Sequence, residues 1–308
     1  MNTTFPPRLP RLGIALVLSL SCPGLVLAQG SLTPPGAPAP LMKSLDQIEP
    51  RTPVDAAHTP GNSSEEFIIS QPGSYYLTTN IVGLSGADGI EITANNVTLD
   101  LNGFSLLGTA VSRNGIYCQG HGVVVRNGTI KSWGSLGIED LVSSTPARVF
   151  EKLTVSSNAV YGIETSQGAI IQDCVIEANV GFGIYATGAS RISGCIVDGN
   201  GSGGIAIEPP GACVVVNNFA FGNDTNDHFG EIYMNSPNNH IEGNRAIVTS
   251  PTGNGIYIFS ESFNTNNVIV KNDVAGGGTR NFTLISGNDV GPIGSATNST
   301  SPWANISH

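Results

Sequence analysis

Hydrophobic residues in this chain come in short bursts of two to five, separated by Gly, Asn, Ser or Asp, and the bursts recur at a near-constant interval. The marker is the dipeptide Gly-Ile, at Gly89-Ile90, Gly115-Ile116, Gly137-Ile138, Gly162-Ile163, Gly183-Ile184, Gly204-Ile205 and Gly255-Ile256, with a degenerate copy at Gly230-Glu231-Ile232. Successive glycines lie 26, 22, 25, 21, 21, 26 and 25 residues apart. A fixed period in this range marks a stacked-repeat architecture. Bursts this short, rich in Val and Ile and bounded by turn formers, predict strands and not helices. One repeat, at ~3.3 Å per strand residue, makes one coil of three short strands. Stacking coils places each strand beside its equivalent one repeat later, parallel, in register and ~4.8 Å away. The predicted fold is therefore all-β: a single-stranded right-handed parallel β-helix, a solenoid of about eight or nine coils, its hand following from the general hand of parallel crossovers.

The two shortest repeats show the frame. Ile171-x-x-Cys174-x-Ile176-x-x-Asn179 leads to Gly183-Ile184, and Ile192-x-x-Cys195-x-Val197-x-x-Asn200 leads to Gly204-Ile205. Phe150, Leu153, Val155 and Asn158 fit it, as do Val215, Asn218, Ala220 and Asn223, after which an insertion from Asp224 to Phe229 delays the next glycine. Asn158, Asn179, Asn200 and Asn223 share one repeat position, so they are expected to stack at one turn, where Asn tolerates turn dihedrals and its amide donates to the next coil. Cys174 and Cys195 share another. Stacked there, their Cα atoms fall within disulfide range, but side-by-side Cβ vectors favour two buried thiols over a bridge.

With this frame in place, the chain resembles the right-handed parallel β-helix proteins of the pectate-lyase-like superfold. The stretches Phe67-Ile68-Ile69-Ser70-Gln71-Pro72-Gly73-Ser74-Tyr75-Tyr76-Leu77 and Asn95-Asn96-Val97-Thr98-Leu99-Asp100-Leu101-Asn102-Gly103-Phe104-Ser105-Leu106 are similar to the early coils of bacterial members. The resemblance covers about residues 64–290. It implies the fold, but this superfold hosts lyases, hydrolases, epimerases and proteins without known catalysis, so it does not fix an activity. Gly120-His121-Gly122 and Arg191-Ile192 match two fragments of polygalacturonases, but at the wrong spacing and without that family's acidic elements. The Arg-rich signature of pectate lyases is also missing.

The ends read differently. Arg8 and Arg11, the apolar run Leu12 to Leu20 and the cleavage-like Val26-Leu27-Ala28 predict a signal peptide over 1–28, and hence a secreted, periplasmic or cell-surface protein. Residues 29–63 read as a Pro-rich linker and lead-in, with a short helix over Met42 to Ile48 and a capping role over the first coil. The β-helix domain is expected over 64–289, and 290–308 as a C-terminal tail anchored by Trp303. No later segment is apolar enough to cross a membrane.

Charge narrows the partners. Removing Arg8 and Arg11 leaves 11 Lys and Arg against 23 acids, or −12. That balance argues against nucleic acid, which needs clustered cations. It also repels acidic glycans unless a divalent cation intervenes; the expected state is a monomer and the expected partner a polysaccharide. Chemistry is sought on the outward position after each Gly-Ile, because Ile points inward and its successor outward. That column reads Glu91, Tyr117, Glu139, Glu164, Tyr185, Ala206 and Tyr257. Glu139 and Glu164, one coil apart, have the ~5 Å spacing of a retaining glycosidase pair and form the candidate catalytic set. Tyr117, Tyr185 and Asp140 are the candidate substrate-binding set, with Asp140 a further oxygen ligand if Ca²⁺ is the cofactor. Two classes of function remain open: a glycan-engaging protein, either a binding module or a lyase- or hydrolase-like enzyme, and a non-catalytic structural or surface-interaction β-helix.

Overall fold

The computed structural model describes residues 51–140, 148–225, 229–277 and 280–308. They lie within one compact unit, Ser44–His308. The expected signal peptide, the Pro-rich stretch and the short helix over Met42 to Ile48 lie outside the described residues.

The chain is a parallel solenoid. One sheet holds ten strands, from Glu65–Ile69 to Phe282–Thr283, one per coil, so nine turns separate the first from the last. A twenty-strand sheet supplies the other strands of each coil. In one well-formed coil these are Phe182–Thr187 on the first sheet, then Arg191–Ser193 and Ile196–Asp198 on the second, the three strands expected per repeat. The interior file runs in register from Phe67 through Ile90, Ile116, Ile138, Ile163, Ile184, Ile205, Ile232 and Ile256 to Phe282. The eight isoleucines of that file are fully buried. Each contributes about 1.5–3 kcal/mol of burial free energy.

The repeat glycine has a steric cause. A Cβ on Gly183 would lie 2.6 Å from Val197 Cγ1, 2.8 Å from Asn200 Nδ2 and 3.0 Å from the Gly204 carbonyl. Gly137 and Gly162 face the same three kinds of neighbour. Glycine is needed where the chain turns into the strand against the asparagine file. Corners between strands are made by single residues in the left-handed region, such as Ser157 (φ 57°), Ala178 (φ 54°) and Gly199 (φ 62°).

The asparagine stack forms, with its reason corrected. The left-handed residue is the one before each Asn, so Asn is selected for hydrogen bonding and not for its own dihedrals. Asn158, Asn179 and Asn200 each donate Nδ2 to the Oδ1 of the next, at 2.9, 2.9 and 2.8 Å, ending on Asn223. Each backbone N–H donates to the same oxygen at 3.0 Å. Trp133 enters the file from the other side, its N–H donating to Asn158 Oδ1 at 3.1 Å. A second file links Asn218, Asn244, Asn272 and Asn305, and a third links Asn239, Asn267 and Asn288. The second continues the cysteine column, since the Cys195 N–H donates to Asn218 Oδ1. Cys174 and Cys195 are buried free thiols, in line with the Cβ argument, as are Cys118 and Cys213.

Pairing extends beyond 64–289 at both ends. Thr52–Pro53 pairs with Tyr75–Tyr76, and Asn305–Ser307 pairs with both Ile293–Gly294 and Asp273–Val274. The buried anchor of the tail is Asn305, with Trp303 holding it from the surface. Asn305 is fully buried, and its amide donates to Ile269 and Gly291 carbonyls at 2.9 and 3.1 Å. Trp303 stays 56% exposed, with the Lys271 ammonium 4.6 Å over its ring.

Candidate functional site

The outer face of the ten-strand sheet carries the column picked out from the repeat. Register places Glu91, Tyr117, Glu139, Glu164, Tyr185 and Ala206 on consecutive strands, followed by Tyr233 and Tyr257. Tyr233 fills the coil of the degenerate Gly-Glu-Ile copy. All of these candidates except Asp140 come together on one surface.

Asp140 is the correction. It follows Glu139 on the same strand, so alternation turns it inward between Cys118 and Thr165. There it is fully buried and paired with the equally buried Arg148, whose Nε lies 3.0 Å from Asp140 Oδ1 and 3.1 Å from the Gly120 carbonyl. It therefore belongs to the interior and not to a substrate or Ca²⁺ site. Among the described residues no group of three or more His, Cys, Asp or Glu is arranged to hold a metal.

The first half of the face is acidic and tightly held. Glu139 accepts a 2.5 Å hydrogen bond from Asn114 Nδ2, and Asn114 is itself fixed by Asp88 at 2.8 Å and by the Leu136 N–H at 3.1 Å. Gln119 donates to Glu91 at 2.5 Å. Burial, then the Asp88 charge, pushes the Glu139 carboxyl above its ordinary value, against Arg113 and Asn114. Burial, then the Glu139 charge, does the same for Glu164. Both shifts run in the direction in which a general acid is tuned.

The second half is aromatic. Phe182 lies over the small residues Gly203 and Ala206, where a Cβ on Gly203 would come within 2.7 Å of its ring. Tyr161 and Tyr185 stack at 5.1 Å with planes 10° apart. Phe182 meets Phe229 edge-on at 4.9 Å, and Phe229 meets Tyr233 at 5.0 Å. Tyr233 packs on Tyr257 at 5.6 Å, and Tyr257 on Phe259 at 6.3 Å. Such pairs add roughly 0.5–1.5 kcal/mol each beyond burial. Phe182, Ala206 and Tyr233 are sealed at the centre, while Tyr161, Tyr185 and Tyr257 form a half-exposed rim. Phe229 comes from the insertion after Asp224, its N–H bonded to Asp224 Oδ2 at 2.9 Å. Residues 226–228 of that insertion lie outside the described residues.

Carboxylates border the rings. Glu208 pairs in register with Thr187, beside the tyrosine column, and accepts from Asn235 Nδ2 at 2.8 Å. Burial pushes its pKa up. Burial, then Glu208, Tyr161 and Glu164, raises the Tyr185 phenol to about 12, so its hydroxyl is a neutral donor and acceptor at physiological pH. Concavities of 410 and 320 Å³ lie on the twenty-strand sheet, around His240.

A sequence model of the right-handed β-helix region matches residues 62–220, more than half of the 308-residue chain. The protein belongs to this family. No curated protein matches the chain. Among solved structures, the β-helix is similar to the crystal structure of the Dettilon tailspike protein, with 14% identity and a TM-score of 0.42. The match covers 79% of this chain and 60% of that one, so this β-helix spans less than two thirds of the neighbour's length.

The repeat frame missed Tyr161, Phe182, Glu208 and Phe229. Tyr161 and Phe182 stand immediately before the repeat glycine, and Glu208 stands two positions beyond the counted column. Phe229 comes from an insertion outside the frame. An aromatic residue directly before Gly-Ile, in Tyr161-Gly162-Ile163 and Phe182-Gly183-Ile184, was the signal available.

Proposed function

We propose that the outer face of the ten-strand sheet binds a glycan strand running along the solenoid axis. The observation that carries this reading is the aromatic surface of Tyr161, Tyr185, Tyr257 and Phe259 beside Glu164 and Glu208. Flat half-exposed rings suit the apolar faces of sugars, and carboxylates accept hydrogen bonds from hydroxyls. On this reading the protein is an exported binding module acting as a monomer.

A second reading, polysaccharide hydrolysis, is favoured by one feature of the same face. Glu139 and Glu164 are register partners with raised pKa values. Adjacent strands put them within reach of the ~5 Å separation of a retaining pair. Uronate lyase chemistry is less well supported, because Arg113, the cation beside these acids, is held by Asp88 at 3.3 Å.

A glycan panel separates these readings when scored for binding, for new reducing ends and for absorbance at ~235 nm from unsaturated products, with and without Ca²⁺. Binding without product supports the module. Reducing ends that vanish in Glu139→Gln/Glu164→Gln support hydrolysis. Silence in every channel leaves the non-catalytic structural or surface-interaction protein.

A further inference from the structure

Among the described residues, the charges around the aromatic face are one-sided. Glu91, Glu139 and Glu164 stand in the outward column and Glu208 stands beside it, all half-buried. Other charged groups felt on this face are Asp88, Glu65 and Glu261, which are acids, and Arg113. Arg113 serves the first half only, bridging to the buried Asp88 at 3.3 Å. Around the rings themselves, burial first, then neighbouring carboxylates and tyrosines, pushes Tyr161, Tyr185 and Tyr233 up. Burial raises the pKa of each of these four glutamates, so their charged forms are poorly solvated and gain from a cation brought alongside.

Spacing adds a second constraint. Glu139 and Glu164 are one coil apart, and Glu164 and Glu208 are two coils apart. Each coil rises ~4.8 Å, about the length of one pyranose in an extended chain. Positive charge repeated along such a chain meets carboxylates repeated along the solenoid, with the tyrosine rim alongside. A chain with a carboxylate on every sugar meets like charge throughout and is disfavoured.

Resting on the glycan-binding reading, we propose that this face selects a cationic glycan, an extended chain of amino sugars with free amines, over neutral chains, and rejects uronate chains. The carboxylates of Glu164 and Glu208 confer the charge preference, and the rim of Tyr161, Tyr185 and Tyr257 supplies contact common to any extended sugar.

The test is titration calorimetry at about pH 6, where such amines are charged. Three hexamers serve as probes: β-1,4-linked glucosamine, its fully N-acetylated counterpart and α-1,4-linked galacturonate. The glucosamine hexamer is expected to bind at least about tenfold tighter than the N-acetylated one, to weaken as salt is raised, and to lose that advantage in Glu164→Gln/Glu208→Gln. Both substitutions are isosteric and outward-facing, and an unchanged melting temperature confirms the fold. Equal binding of the glucosamine and N-acetylated chains, or tightest binding of galacturonate, overturns the charge assignment while leaving the glycan reading intact. A preference that survives unchanged in the double variant overturns the role of these two carboxylates. Absence of binding by all three hexamers overturns the inference together with the reading on which it rests.

Discussion

Asn200 engages all its polar side-chain atoms within the protein. Its Oδ1 accepts from both Asn179 nitrogens, and its Nδ2 donates to Asn223 Oδ1 and to the Ile176 and Asp198 carbonyls. Asn200→Ala strands two buried donors of Asn179, each worth about 1–3 kcal/mol, so the loss in urea unfolding is expected near 3 kcal/mol. A loss below about 0.5 kcal/mol would show that water or relaxation replaces the ladder. The file ends on Glu231, which register puts in the column of the repeat glycine, opposite Gly204. Its carboxylate takes the Asn223 N–H at 3.2 Å and Nδ2 at 2.6 Å, where another Asn would otherwise stand. Burial lifts its pKa to about 8. Between roughly pH 4.5 and 8 the folded chain thus keeps a proton that the unfolded chain releases, so stability falls as pH rises across that window, by several kcal/mol, and levels above it. Glu231→Gln is expected to flatten this slope in melts from about pH 5 to 9, and an unchanged slope would reject the assignment. The Asn file was legible because four residues repeat in one frame. Glu231 was not, because the count placed Gly230 in the glycine column, and only pairing shows the insertion shifting it by one. Asp140 was misread for a related reason: its partner Arg148 lies beyond the segment 141–147, and period-2 alternation alone decides which way it points.

At the scale of strands and corners, the sequence was most informative. Three strands per repeat, their parallel register and the isoleucine interior all follow from the short Val/Ile bursts and the glycine interval. Two kinds of glycine are now distinguished by their surroundings. Gly183 is required by packing, as a Cβ there meets three groups at 3.0 Å or less. Gly199 has open space and only its φ of 62° to satisfy. Gly183→Ala is therefore expected to cost about 3 kcal/mol, in the range of overpacked cores, and Gly199→Ala about 1–2 kcal/mol, the penalty of a left-handed residue. Denaturant midpoints of the two variants check the order, and a reversed order would contradict the steric account of the repeat. The ends were less legible. Thr52–Pro53 and Asn305–Ser307 join the ladder without carrying the Gly-Ile mark, since a terminal coil needs backbone pairing and a closing Asn more than a full repeat.

The whole solenoid turns a one-dimensional repeat into a surface with two characters. Acids dominate the early coils of the outward face and rings the later ones, with Tyr117 and Glu208 as the exceptions, because consecutive repeats place different residues at one equivalent position. The column of Tyr and Glu was readable from spacing. Its aromatic depth was not, since Tyr161, Phe182 and Phe229 reach the face from outside the counted position and meet through ring contacts between coils. The claim that this face engages glycan is tested most directly by the binding of the panel's best ligand to Tyr185→Ala/Tyr257→Ala. Both rings are at the half-exposed rim, so the fold should survive their loss. With stacking worth roughly 0.5–1.5 kcal/mol per ring, affinity is expected to fall about tenfold, while the loss of their ring pairs lowers the melting temperature by only a few degrees and leaves the protein folded at the assay temperature. Undiminished affinity in the double variant would contradict the account.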